Sequence, residues 1–509
     1  MIVDRLNSHS DEQAGLSELE TEALILTRRQ LMARGAAASA TVAGLGALQF
    51  APSAAAATGG GAGSTAYPPP LKNVPAPPVP IFSDQTLTFQ TLFALGNISA
   101  ASGEYGEITT VIKRIQDRGE SYVAFYEEFV AEAQSVAKYA EDAAQRGHRV
   151  TARNAYLRSA SYYAQALYFV LARSSDAELK TMAAGGAVPT SARARERNVY
   201  RAMRTVWERA GAQMRPKMEV VQLPWRGPKS PMPGWFLRPS NDSSRRPTLL
   251  MNNGSDAQAI DLWGAGGYAA LERGWNVLIF DGPGEGGMLF EKNQTFVPEW
   301  ERVITPIVDW LRRRSDVDRD RIVLSGSSFG GELVPRAAAF EPRLAAISVD
   351  PGVVYAGSTW TDGLSTFPGM LEAFAAGDEA LFNSNWSIYT AKESTKQQFG
   401  LSKRLEIYPG STMFDKYTQI IKYDNSAVAA KVHRPALVIN NELEQFFPGQ
   451  PKALFDLLRN SNGKKYVTFT TAQGAQFHCE PMSPQRRNDT VMDFFSDVVG
   501  HGGSGGVTG

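Results

Sequence analysis

The chain has 509 residues, 43% of them hydrophobic and 20% charged, with 52 basic residues against 52 acidic ones. This is ordinary globular composition over a length that suits two or three domains. The balanced charge lacks the basic excess that nucleic-acid binding favours, so no nucleic-acid partner is expected. With Cys479 as the only cysteine, an intrachain disulfide is excluded.

The leader comes first. Arg28 and Arg29 stand side by side in TRRQLM, ahead of an Ala/Gly-rich stretch and the small-residue run APSAAAATGG. The pattern reads as a twin-arginine export signal over residues 1–57, cleaved near residues 54–57. Its weakly apolar core of about 16 residues is short for a membrane span. The expected location is therefore extracellular or periplasmic, with no stable membrane association after signal removal. Removing residues 1–57 takes away four basic and six acidic groups and leaves 48 against 46. Residues 58–81 read as a Gly/Pro-rich linker.

Residues 82–215 read as a helical domain. Tyr122, Phe125, Phe129, Ala133, Val136 and Ala140 recur at three- and four-residue spacing. Tyr156, Ala160, Tyr163 and Leu167 repeat that pattern, and each apolar stripe needs a partner. A homodimer through this domain is compatible with the sequence, which does not require it.

Over residues 216–499 the pattern changes. The short apolar runs MEVVQLPW, GWFLRP, PTLLMNNG, WNVLIFDGPG, RIVLSGSSFGG, LAAISVDPG, PALVINN and KKYVTFT alternate, for the most part, with helical stretches. Apolar strands alternating with helices predict an α/β fold, a mostly parallel central sheet with helices on both faces. Residues 355–430 are too long for a connection within a compact unit. They carry exposed-looking apolar residues such as Trp360, Phe367 and Met370, and are read as a helical lid insertion. Residues 500–509 read as a Gly-rich disordered tail.

The pattern Gly-x-Ser-x-Gly fits twice, at residues 326–330 and in the tail at residues 502–506. Only the first has a strand before it and a helix after it, the strand–turn–helix context that lifts a serine hydroxyl out of a sheet. It selects Ser328 as nucleophile. A serine hydroxyl needs a base. Of five histidines, His478 alone directly follows the last strand, at the end of the sheet where reacting groups gather. The orienting acid is expected between the two in sequence. Glu444, just past a strand, is the first choice, with Asp350 and Glu442 as competitors. The amide of Phe329 and that of Ser255, in NNGSD, are the expected oxyanion donors, with Asp256 as the neighbour to watch. FDGPGEGG, residues 280–287, has neither a dinucleotide fingerprint nor a Walker lysine and reads as a tight loop at the rim of the site. No metal-ligand cluster and no cofactor are expected.

The motifs NNGSD, FDGPGEGG, GSSFGG, ELEQFFPGQ and GAQFHCEP, in that order, resemble the α/β-hydrolase superfamily. Within it, residues 146–166 resemble the branch with an N-terminal helical domain, which includes the 2,6-dihydroxypseudooxynicotine hydrolases and the fungal yellowish-green-type hydrolases that shorten polyketides. The resemblance spans roughly residues 90–499. It implies that Ser328, Glu444 and His478 act together under the helical domain and lid, and that the substrate is a small carbonyl compound. One departure is that hydrolases of this fold often carry Asp where this chain has Glu444. The expectation is an exported serine hydrolase cleaving a carbon–carbon bond beside a ketone, or an ester. For the former, Asp350 is an auxiliary acid that protonates the departing carbon. A carboxylesterase, a peptidase-like acyl hydrolase and a non-catalytic binding protein on the same scaffold are the alternatives.

Overall fold

Among the described residues, six α-helices precede the first strand. They are α1 (Gln85–Gly96), α2 (Tyr105–Asp117), α3 (Tyr122–Gln145), α4 (Arg149–Tyr168), α5 (Asp176–Ala183) and α6 (Thr190–Gln213). The computed structural model describes residues 67–68, 80–225 and 230–500. The export-signal reading of residues 1–57, most of the 58–81 linker, and the second Gly-x-Ser-x-Gly match lie outside those residues.

Local signals account for the helix starts. The Asp84 side chain accepts from the amides of Thr86 and Leu87 at the head of α1, and Ser121 does so for Ala124 at the head of α3. Ser175 and Glu178 form a reciprocal capping box on α5. The apolar stripes of α3 and α4 face inward. Phe125, Phe129, Ala133, Ala140 and Ala160 are fully buried, and Tyr156 and Leu167 nearly so.

The eight apolar runs form one eight-stranded sheet. Its strands are β1 (Glu219–Leu223), β2 (Met232–Leu237), β3 (Arg246–Asn252), β4 (Asn276–Phe280), β5 (Val317–Ser327), β6 (Ala346–Asp350), β7 (Ala436–Asn441) and β8 (Lys464–Phe469), in the order β1-β2-β4-β3-β5-β6-β7-β8. β2 pairs antiparallel with both β1 and β4, and the other pairs are parallel. Every residue of β4 and β6 is buried, as a parallel strand covered on both faces requires, whereas the edge strands β1 and β8 alternate with solvent. β3 leads to β4 on one side and β5 to β6 on the other. The crevice beyond the carboxyl ends of β3 and β5 is therefore the switch point where such sheets hold ligands.

Five helices lie between β6 and β7. They are α7 (Ser358–Ser365), α8 (Met370–Ala376), α9 (Glu379–Thr390), α10 (Thr395–Leu405) and α11 (Met413–Ile420). This segment packs on the N-terminal helices. The Trp386 indole donates to the Ala183 carbonyl at 2.9 Å, Ser402 Oγ donates to the Leu179 carbonyl, and the Phe399 ring stacks on Phe169 at 5.7 Å. The exposed-looking Trp360, Phe367 and Met370 are in fact buried. The expectation of exposure fails because these side chains face other helices of the segment and the layer beneath it. Trp360 packs against Trp386 and Phe367 against Tyr389.

Candidate active site

Ser328 opens the turn between β5 and the following helix (Gly330–Phe340), with φ at +57° in the left-handed region. Two bonds hold the bend. The Ser328 amide donates to the Asp350 carbonyl at 2.7 Å, and the Gly331 amide donates to the Ser328 carbonyl at 2.8 Å. Gly330 is obligatory here, since a Cβ on it would stand 2.6 Å from the Asn253 carbonyl oxygen. This close approach brings the loop after β3 against the serine.

That loop is internally braced. The Gly254 amide donates to Asn253 Oδ1, Asn253 Nδ2 donates to the Ala257 carbonyl, and Asn252 Nδ2 donates to the Asn253 carbonyl. The backbone amides of Ser255 and Phe329 have no acceptor among the described residues. Both residues line the cavity together with Ser328.

His478 follows β8 and sits fully inside the same wall. Ser328 Oγ lies 2.9 Å from His478 Nε2, and His478 Nδ1 lies 2.8 and 2.9 Å from the two Glu444 carboxylate oxygens. With the proton on Nδ1 donated to Glu444, Nε2 is left to accept the Ser328 hydroxyl proton. Glu444 is itself oriented, because Oε1 accepts the amides of Phe446 and Phe447 at 2.9 and 3.1 Å. The loops bearing acid and base are stitched together. Leu443 bridges Phe477 in parallel, and the His478 amide donates to Gln445 Oε1 at 3.0 Å. Burial pulls the imidazole pKa down, but the Glu444 carboxylate outweighs it with help from Asp350 and Asp256, so the net shift is upward.

Both competitors for the acid are accounted for elsewhere. Glu442 is exposed and accepts the Thr471 amide. Asp350 is buried at the end of β6, 3.5 Å from Arg487 and close to Glu480, and does not line the cavity. The carboxyl expected as the auxiliary acid is thus paired with Arg487, a residue that itself lines the cavity. The carboxylate that lines the cavity beside Ser255 is Asp256, which accepts Ser255 Oγ at 2.9 Å. FDGPGEGG forms a tight buried loop in which Asp281 accepts Tyr200 Oη at 2.6 Å and the Gly287 amide at 2.8 Å.

The cavity over Ser328 has a volume of about 290 Å³. Its walls come from α1 and α4 (Phe89, Tyr168), the lid helices (Phe399, Arg404) and the acid loop (Phe446). The Phe446 ring stands edge-on to the His478 imidazole at 4.7 Å and shields the His–Glu pair. Sequence reasoning missed Phe446 and Arg404. The aromatic pair in ELEQFF was a visible signal for the first, and nothing local marked the second. Among the described residues no group of three or more His, Cys, Asp or Glu is placed to hold a metal ion.

No family model matches the chain. Curated relatives do match. Alpha/beta hydrolase psoB of Aspergillus fumigatus is 28% identical over 379 residues, covering 70% of this chain and 79% of that protein. Hydrolase ORFZ of Pyricularia oryzae is 28% identical over 280 residues, covering 53% of this chain and 62% of that one. Taken with the sheet order and the serine turn, these relatives decide the family. The chain belongs to the α/β-hydrolase superfamily. This α/β hydrolase spans about three fifths of the length of several of its curated relatives, 62% of Hydrolase ORFZ and 60% of Hydrolase acrC of Aspergillus aculeatus, to which it is 30% identical. Among solved structures, that of 2,6-dihydroxy-pseudo-oxynicotine hydrolase superposes with a TM-score of 0.54 at 17% identity, covering 80% of this chain and 96% of that one. It shares the fold of this α/β hydrolase, N-terminal helices included.

Proposed function

We propose that this α/β hydrolase is an exported serine hydrolase of small carbonyl compounds, with Ser328 as nucleophile, His478 as base and Glu444 as orienting acid. The observation that carries the reading is the continuous line from Ser328 Oγ through His478 to Glu444, at 2.9 and 2.8 Å. Export rests on the Arg28–Arg29 leader alone. Among the described residues no helix is long and apolar enough to cross a membrane.

The chemistry follows from the contacts. As Ser328 Oγ bonds to the carbonyl carbon, its proton passes to His478 Nε2, and the imidazolium is stabilised by the Glu444 carboxylate. The carbonyl oxygen becomes an oxyanion facing the amides of Phe329 and Ser255. Collapse breaks the bond to the leaving group, which takes the proton from Nε2 and leaves an acyl-serine. Water then adds to the acyl carbon, giving its proton to Nε2, and Ser328 departs with that proton. An ester needs only this one shuttle. A carbon–carbon bond beside a ketone releases an enolate, which takes up the same proton at carbon or oxygen. One relative, of Gibberella moniliformis, is named 20-hydroxy-prefusarin hydrolase FUS2.

The test compares the purified protein with Ser328→Ala on p-nitrophenyl esters of rising chain length and on aryl β-diketones. Turnover abolished by Ser328→Ala supports the serine reading, and the faster panel identifies the bond. Turnover that survives the substitution overturns it. A fluorophosphonate probe separates an enzyme from a binding protein, since only an activated Ser328 is labelled.

A further inference from the structure

Arg404 lies in the last turn of α10 and lines the cavity. Among the described residues its guanidinium has no carboxylate partner and makes no hydrogen bond. Its neighbours in the same wall are satisfied. Lys403 donates to Glu406 Oε1 at 2.8 Å, and Arg487 pairs with Asp350. The cavity's own carboxylates do not neutralise Arg404 by contact. Asp256 accepts Ser255 Oγ, Asp261 accepts the Gln258 amide with its pKa pushed by burial to about 6, and Glu393 is pushed up by burial. A partly buried guanidinium with five unused donors is an expensive arrangement unless something enters to pair with it.

Its position is informative. The guanidinium stands 5.6 Å over the Phe446 ring, and the same ring meets His478 at 4.7 Å. One aromatic ring therefore separates the cation from the base. Tyr168 and Tyr408 line the cavity too, and neither hydroxyl has a partner among the described residues. Burial pushes both phenols up, nearby carboxylates add to the shift, and only the Arg404 charge opposes it. Both stay neutral donors near the same cation. A planar guanidinium in a wall that also carries two phenols suits the two oxygens of a carboxylate.

We propose that Arg404 anchors a carboxylate on the substrate, so that the natural substrate is an acid-bearing carbonyl compound, a keto acid or half-ester, whose acid group lies about one ring width from the scissile carbonyl. The proposal rests on the serine-hydrolase reading for its kinetic arm and stands free of it for its binding arm.

The kinetic arm compares p-nitrophenyl hydrogen glutarate with p-nitrophenyl valerate, which match in chain length and differ in the terminal acid. In the wild type, kcat/KM is expected to be at least tenfold higher for the half-ester. Arg404→Gln should bring that ratio close to one, mainly through KM, and Arg404→Lys should keep part of it. The binding arm titrates glutarate into Ser328→Ala protein by calorimetry and repeats this with Arg404→Gln added, which should weaken binding at least tenfold. Equal use of the two esters by the wild type, an unchanged ratio in Arg404→Gln, or glutarate binding indifferent to Arg404 overturns the proposal. If Ser328→Ala still hydrolyses the valerate, the serine-hydrolase reading fails instead, and the calorimetry alone judges Arg404.

Discussion

Gly254 and Ser328 approach so closely that a Cβ on the glycine would stand 2.6 Å from the Cβ of the serine and 2.8 Å from the Ser327 carbonyl oxygen. The loop that offers the Ser255 amide is thus seated directly on the nucleophile. Gly254→Ala must push that loop away. Loss of one oxyanion donor costs about 10²–10³ in kcat, and a loss of that order is expected with the circular dichroism of the wild type retained. Near-normal turnover would remove Ser255 from the oxyanion site.

Glu444 sets the proton on His478. Glu444→Gln keeps the shape and removes the charge, and by analogy with other triads kcat should fall by about 10²–10⁴. The pH profile adds a sign. Catalysis needs neutral His478, whose pKa Glu444 helps to raise above the ordinary 6.5. Activity of the wild type should therefore rise with pH through a value above 6.5, and in Glu444→Gln this acidic limb should move to lower pH. A limb that stays put would mean another group is titrating.

Arg487 holds a buried acid pair. Asp350 and Glu480 both have pKa values raised by burial, and the Arg487 charge opposes the rise. Arg487→Met should cost about 3–5 kcal/mol at neutral pH, because it leaves buried carboxyls without a counter-charge. A carboxyl whose folded pKa is raised binds its proton more tightly in the fold. Its effect on stability is harmless below the unfolded value and grows as pH rises toward the folded value. The deficit of the variant should therefore shrink as pH is lowered toward about 4. Urea unfolding at pH 7 and at pH 4.5 reads this directly, and a deficit equal at both would argue for packing alone.

Trp386 ties the lid to the N-terminal helices. Its ring is 1% exposed and its indole donates to the Ala183 carbonyl. Trp386→Ala should destabilise the protein by about 3–5 kcal/mol through cavity formation and raise KM by loosening the cavity wall. Thermal unfolding and kinetics with an ester panel check the two together. An unchanged Tm would mean that the lid is coupled to the body through other contacts.

The amino-acid sequence was most legible where chemistry is local. Eight short apolar runs became eight strands, and the inner parallel ones such as β4 and β6 stood out most because both of their faces are buried. The turn at Ser328 was legible because small residues must flank a bend with φ at +57°. Among the three acids weighed for His478, adjacency was illegible. Glu444 reaches Nδ1 through the Leu443–Phe477 bridge, a pairing across more than thirty residues that no local pattern encodes. Trp360, Phe367 and Met370 were misjudged for the same reason, since the surface that covers them comes from other helices of the insertion.

By itself, then, the sequence determined the α/β architecture and the position of the serine turn, since strand burial and backbone sterics act within a few residues. Only the tertiary structure decided which carboxylate meets the base, that Asp350 pairs with Arg487, and that Arg404 enters the wall unpaired. Those outcomes depend on how helices and loops far apart in the chain pack, and burial and charge pairing are settled by that packing and not by neighbours in sequence.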